Sequence, residues 1–181
     1  KMGLLAPKSR PIHLRLNNKY MGVYSDVEQV NECFIKNHEL EKGNIYDGDQ
    51  GDMAYEKYEN LWCQTKQGWR KIVSFNDIND ISELTKLIQT INECDGIDFK
   101  GRIEDIVDVD KFLTYIAFLD IGSSEHIDNI HNIKLYFKPS NGKFEPIVWD
   151  PSGHWIDERA ELIWERSKND LFIKLLSIPE F

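Results

Sequence analysis

His131-Asn132-Ile133-Lys134-Leu135-Tyr136-Phe137-Lys138-Pro139-Ser140-Asn141-Gly142-Lys143-Phe144-Glu145-Pro146-Ile147-Val148-Trp149-Asp150 reads as a β-hairpin. Ile133 to Phe137 predicts a strand, and Phe144 to Trp149 predicts the return strand. Between them, Ser140-Asn141-Gly142 is tight-turn chemistry, because Asn and Gly tolerate the positive φ such turns require. A hairpin sets its two ends side by side, so Asn132 and Asp150 are expected neighbours. An amide carbonyl and a carboxylate are hard oxygen donors of the type a magnesium ion takes. Asn132 and Asp150 are therefore the candidate metal ligands.

Working upstream, Asp108 predicts the N-cap of a helix carrying Phe112, Leu113, Ile116, Ala117 and Asp120 along one face. A short polar segment, Gly122 to His131, separates that helix from the hairpin. Asp128, four residues before Asn132, is the candidate catalytic group that orients an acceptor hydroxyl, with Glu125 in reserve. Core helix, polar loop, Asn, hairpin and Asp is the order of parts that protein kinases use for phosphoryl transfer. Taken singly, Asp128 reads as an Asx-turn residue, Asn132 as a strand cap and Asp150-Pro151 as a turn opening. The ordered combination is what points to chemistry.

Toward the N-terminus, Pro11 to Leu16 alternates Ile12, Leu14 and Leu16 with polar neighbours, the period of a half-buried strand. Asn17-Asn18-Lys19 supplies the turn, and Tyr20 to Tyr24 resumes, with Gly22 expected at a bulge or close approach. Asp26 is then expected to cap a helix carrying Val27, Val30, Phe34 and Ile35. Glu39 to Gln67 reads as a long irregular or partly extended insertion. Ile78, Ile81, Leu84, Leu87, Ile88 and Ile91 form a helical stripe that Asp95-Gly96 ends. Helical pieces are also expected over 158–165 and over Asp170 to Leu176.

Composition narrows the class. The 181 residues fit one domain, 41% hydrophobic and 12% aromatic, which is a folded chain. With 22 basic and 31 acidic residues the net charge of -9 argues against a nucleic-acid polymer as partner and suits a basic protein or peptide. Cys33, Cys63 and Cys94 have no CxxC spacing and fit neither a zinc site nor a dense disulfide framework. They leave either one disulfide with a free thiol or three reduced thiols. No apolar run is long enough to span a bilayer. Gly48-x-x-Gly51 lies in an acidic stretch that would repel phosphate.

Gly3-Leu4-Leu5-Ala6-Pro7, Leu16-Asn17-Asn18-Lys19-Tyr20-Met21-Gly22-Val23-Tyr24, Glu28-Gln29-Val30, His131-Asn132-Ile133-Lys134-Leu135-Tyr136 and Gly142 to Asp150 together resemble the CotH kinase family of spore-coat proteins. The likeness covers most of the chain and is strongest at its two ends. It implies an α+β, atypical protein-kinase-like fold, mostly the large C-terminal lobe with the β-hairpin that approaches the hinge. It also implies a secreted, cell-surface or spore-coat kinase that uses ATP and Mg to phosphorylate Ser or Thr of a protein. Backbone groups around Asp26, Val27 and Glu28 would then face the adenine, Asp128 would match the catalytic acid, and Asn132 and Asp150 the metal ligands. Where the family often carries a second acid after the Trp-Asp pair, this chain has Ser152. On the same analogy the phosphate-covering loop and ATP-pairing Lys would lie before Lys1, so residues 1–181 are expected to be a partial domain.

Two other classes compete. One is a non-catalytic binding or scaffold module of the same fold. The other is a metal-dependent hydrolase with His131, Asp150, His154 and Asp157 as ligands.

Overall fold

A computed structural model describes residues 2–49, 60–63, 67–122, 124, 127–151, 169–179 and 181. The expected helices over 158–165, together with Glu125, Ser152, His154 and Asp157, lie outside the described residues.

The chain begins with an antiparallel hairpin of β1 (Ser9–Leu16) and β2 (Lys19–Val27). Asn17 and Asn18 both take positive φ, 48° and 62°, as the sequence required of its turn. Leu14 pairs with Gly22 and Arg15 with Tyr20, so Met21 is the extra residue of a bulge beside Gly22. The hairpin runs further than its alternation showed. Arg10 pairs with Asp26 across the ladder, and their side chains form an exposed ion pair at 2.9 Å. Asp26 is therefore a strand residue and not a helix cap. The cap is Asn31, whose side chain accepts from the Cys33 N–H at the start of α1 (Glu32–Asn37).

The second sheet has strand order β4-β3-β5-β6, antiparallel throughout, from β3 (Ile45–Gly48), β4 (Trp69–Val73), β5 (Ile133–Lys138) and β6 (Lys143–Ile147). The last two are the predicted hairpin. The first two fall in and just after the stretch read as irregular, and β3 is central. All four of its residues are buried, so it lacks the two-fold alternation that marks a half-exposed strand. Gly48 is a packing glycine: a Cβ there would sit 2.9 Å from the Trp69 ring.

Side chains of this sheet divide by the period-2 rule. Tyr46, Ile133, Leu135 and Phe144 pack into a large core with α2 (Ser82–Glu93), α4 (Val109–Ile121) and α5 (Asp170–Leu176). Ile45, Val73, Tyr136 and Ile147 face the other way and pack on Phe34 and Ile35 of α1. A further helix, α3 (Gly96–Ile103), follows directly where Asp95-Gly96 was expected only to end α2.

The predicted helical stripe begins later than expected, since Ile78 is exposed and α2 starts at Ser82. Asp108 does cap α4, accepting from the Lys111 N–H. The buried face of α4 is Phe112, Tyr115, Ile116 and Leu119, rotated from the expected one, with Ala117 exposed. All three cysteines are free thiols. No described helix is long and apolar enough to cross a membrane.

Candidate functional site

The β5–β6 hairpin does bring its ends together. Asn132 Nδ2 lies 3.5 Å from Asp150 Oδ2. Both residues have left-handed backbones, φ 63° and 41°, a conformation that costs most side chains but that Asn and Asp accept more readily. Each is thus turned out of its strand, toward the other. In this orientation the amide offers a proton to the carboxylate. Turning the amide over presents its oxygen instead, and the pair becomes two hard oxygen donors at chelating separation. The donor chemistry fits a magnesium ion.

Asp150 also lines a cleft of about 540 Å³ with Ala6, Pro7, Val27, Val148, Trp149 and Pro151. The N-terminal segment reaches it by running parallel to the end of β6, with Val148 N–H donating to Leu5 O at 2.8 Å. Its walls are mostly apolar, and its size is that of small-molecule sites. Val27 and Asp150, predicted for adenine and for metal, share this cleft. Glu28 N–H donates to Lys8 O at 2.9 Å, so the neighbouring Ser9–Val27 pair is a non-hydrogen-bonded one. The N–H and C=O of Val27 consequently point away from β1.

Asp26 and Glu28 present their side chains elsewhere. Glu28 is held by the Asn37 amide at 2.7 Å, His38 Nε2 at 2.8 Å and the Lys8 N–H at 3.0 Å, tying the hairpin exit to the end of α1. Lys8 reinforces the tie by donating its ammonium to Asn37 O. Burial pushes the Glu28 carboxyl up, but the bonds from Asn37, Lys8 and His38 outweigh it and bring the pKa from 4.5 down to about 2. A depressed carboxyl contributes stability in full above about pH 4.5 and loses it as pH falls toward 2. Glu28→Gln is therefore expected to lower the thermal midpoint at pH 6 and to leave a much smaller difference from the parent near pH 2.

Asp128 does form an Asx-type turn. Its Oδ1 accepts from the N–H groups of Ile130 at 2.7 Å and His131 at 3.0 Å. His131 Nδ1 is 3.1 Å from the same oxygen, in ion-pair range when the ring is protonated but misaligned for a hydrogen bond. Oδ2 takes no hydrogen bond from the described residues, so the turn role and an open carboxylate oxygen coexist.

The loop carrying Asp128 is clamped from behind, which sequence inspection missed. Asp170, opening α5, accepts from Asn129 Nδ2 at 2.9 Å and from Asn60 Nδ2 at 2.6 Å, and returns its N–H to Asn129 Oδ1 at 2.8 Å. The fully buried Asn169 donates to Asp128 O at 3.2 Å. Asp170→Ala strips the acceptor from two amides, and should lower unfolding stability by roughly 2 kcal/mol in a denaturant titration.

A second group missed from sequence lies beside the hairpin mouth. Lys134, two residues past Asn132, is 8% exposed and pairs with the carboxylate of Asp47 on β3, a residue 5% exposed. Arg70 Nη2 caps the other Asp47 oxygen at 2.7 Å. The Lys134 ammonium sits 4.7 Å from the centre of the Trp149 ring. Tyr115 of α4 faces the Trp149 backbone without a well-aligned bond, and burial holds its hydroxyl above the ordinary tyrosine range. Among the described residues, no three His, Cys, Asp or Glu side chains converge as a metal cluster.

Compared with known proteins, residues 1–181 match the family model described as CotH kinase protein. The chain belongs to the CotH kinase family. Inner spore coat protein H of Bacillus subtilis strain 168 is 30% identical over 191 aligned positions, which take in all of this chain and 52% of that relative. This CotH-family chain thus spans about half the length of the curated relative it matches, and its helices and antiparallel sheets are the α+β architecture the resemblance implied.

Proposed function

We propose that the chain forms the Mg-nucleotide side of a protein kinase that moves the γ-phosphoryl of ATP onto Ser or Thr hydroxyls of a protein. The observation that carries this reading is the approach of Asn132 to Asp150, each in a left-handed backbone, at the lip of a nucleotide-sized cleft. Asn132 Oδ1 and an Asp150 carboxylate oxygen would hold the cation. A bound Mg ion bridges phosphate oxygens and neutralises the charge that develops on them. The apolar walls at Ala6, Pro7 and Trp149 suit a purine face, and the outward N–H and C=O of Val27 suit its hydrogen-bonding edge. Asp128 Oδ2 would accept the proton of the acceptor hydroxyl, with Oδ1 fixed by the two backbone N–H groups.

The net charge of -9 favours a basic acceptor segment. The name of the relative from B. subtilis, a spore coat protein, supports the spore coat as the location. The direct test is calorimetry on the full-length protein with ATP, with and without Mg. Heat that appears only when both are present is expected. No metal-dependent heat would replace the kinase reading by the scaffold one.

A further inference from the structure

Trp149 stands immediately before Asp150, so whatever fixes that ring fixes the backbone from which the carboxylate projects. The ring is partly buried and packs against the α1 side of the sheet. By the strand period, Asp47, Lys134 and Ile147 lie in one row across β3, β5 and β6, with Arg70 next on β4. Two residues along from Ile147 and beyond the end of β6, Trp149 comes over this row, against the ammonium of Lys134.

A buried lysine needs a reason, since desolvation of an ammonium is costly and an apolar side chain would pack the row without it. Asp47 explains how the charge is tolerated, and Arg70 keeps the second Asp47 oxygen occupied. The Trp149 ring lies 4.7 Å from the ammonium, and a desolvated cation over an indole is attracted most strongly among the aromatic rings.

We propose that Lys134 is a positioning residue: braced by Asp47 and Arg70, it pins Trp149 so that Asp150 meets Asn132 at the cation. This inference rests on the phosphotransfer reading of Asn132 and Asp150. Partners that orient metal ligands without touching the metal commonly change affinity by ten- to a hundredfold when removed.

The test uses Mn²⁺ as the probe, its binding to the full-length protein followed by electron paramagnetic resonance without nucleotide or turnover. Lys134→Met is expected to weaken Mn²⁺ binding by about tenfold or more, and Lys134→Arg to restore much of it. Because Lys134→Met leaves Asp47 buried beside one cation fewer, Trp149→Leu serves as a second variant that spares the ion row. It should weaken Mn²⁺ similarly, and the double variant should be no weaker than either single one, since both act through one contact. Additive losses, or unchanged affinity in a folded Lys134→Met protein that still loses Mn²⁺ on Asp150→Ala, overturn the positioning role alone. Mn²⁺ binding that is indifferent to Asp150→Ala in the parent overturns the phosphotransfer reading as well.

Discussion

Asp150→Ala is expected to lower metal-dependent phosphotransfer by at least ~10²–10³-fold, the scale seen when a preorganised group facing transition-state charge is lost. Of the two hard donors at the hairpin mouth, Asp150 carries the charge, so on the proposed reading it would contribute most to holding a divalent cation against water. Asn132→Ala should follow with a smaller loss, because a neutral amide is the weaker ligand. The fold should survive both changes. Asp150 is exposed, beyond the last hydrogen-bonded pair of β6, and removing its side chain empties no core position. The measurement is radiolabelled phosphate incorporation into a Ser-containing acceptor protein at saturating ATP, with circular dichroism to confirm folding. Activity within a few fold of the parent would reject Asp150 as a metal ligand.

Asp47→Ala is expected to produce the largest loss of stability available from a polar substitution, about 3–5 kcal/mol in a denaturant titration. Its carboxylate is buried and stands between two cations, and its removal leaves the Lys134 ammonium enclosed with, among the described residues, the Trp149 ring as its remaining partner. The matching change on the other flank, Arg70→Ala, should cost less than about 1 kcal/mol, because that guanidinium is largely in solvent and escapes to water when unpaired. The asymmetry separates a buried pair from a surface one within a single row of three residues. Equal effects would mean that the row is solvated in solution.

Much of this architecture could be read directly where local chemistry decides it. Asn17-Asn18 and Asn141-Gly142 impose turns that few other residues accept, so both hairpins were legible, and the second placed Asn132 against Asp150. Asp108 announced α4 because an N-cap is a contact within one turn. Strand β3 stayed hidden because Asp47 and Gly48 disfavour strands on intrinsic grounds. Their reasons are distant ones: Lys134, 87 positions away, neutralises Asp47, and the Trp69 ring needs the space a Gly48 side chain would fill. The Asp170 clamp on Asn129 was illegible for the same reason. Asp26 misled because Asp is as acceptable at an exposed strand edge opposite Arg10 as at a helix start. Distance along the chain, and not weakness of interaction, separates what could be read from what could not.

The left-handed backbones at Asn132 and Asp150 carry an evolutionary consequence. Glycine would adopt either conformation without steric penalty and would relieve up to about 1–3 kcal/mol of conformational cost. Selection for stability alone should therefore drive both positions toward glycine. If Asn132 and Asp150 hold a cation as proposed, family members that serve only as scaffolds should show that drift, while phosphotransferases should retain the less comfortable side chains. A survey of positions equivalent to 132 and 150 would thus sort proposed phosphotransferases from scaffolds before any assay is run.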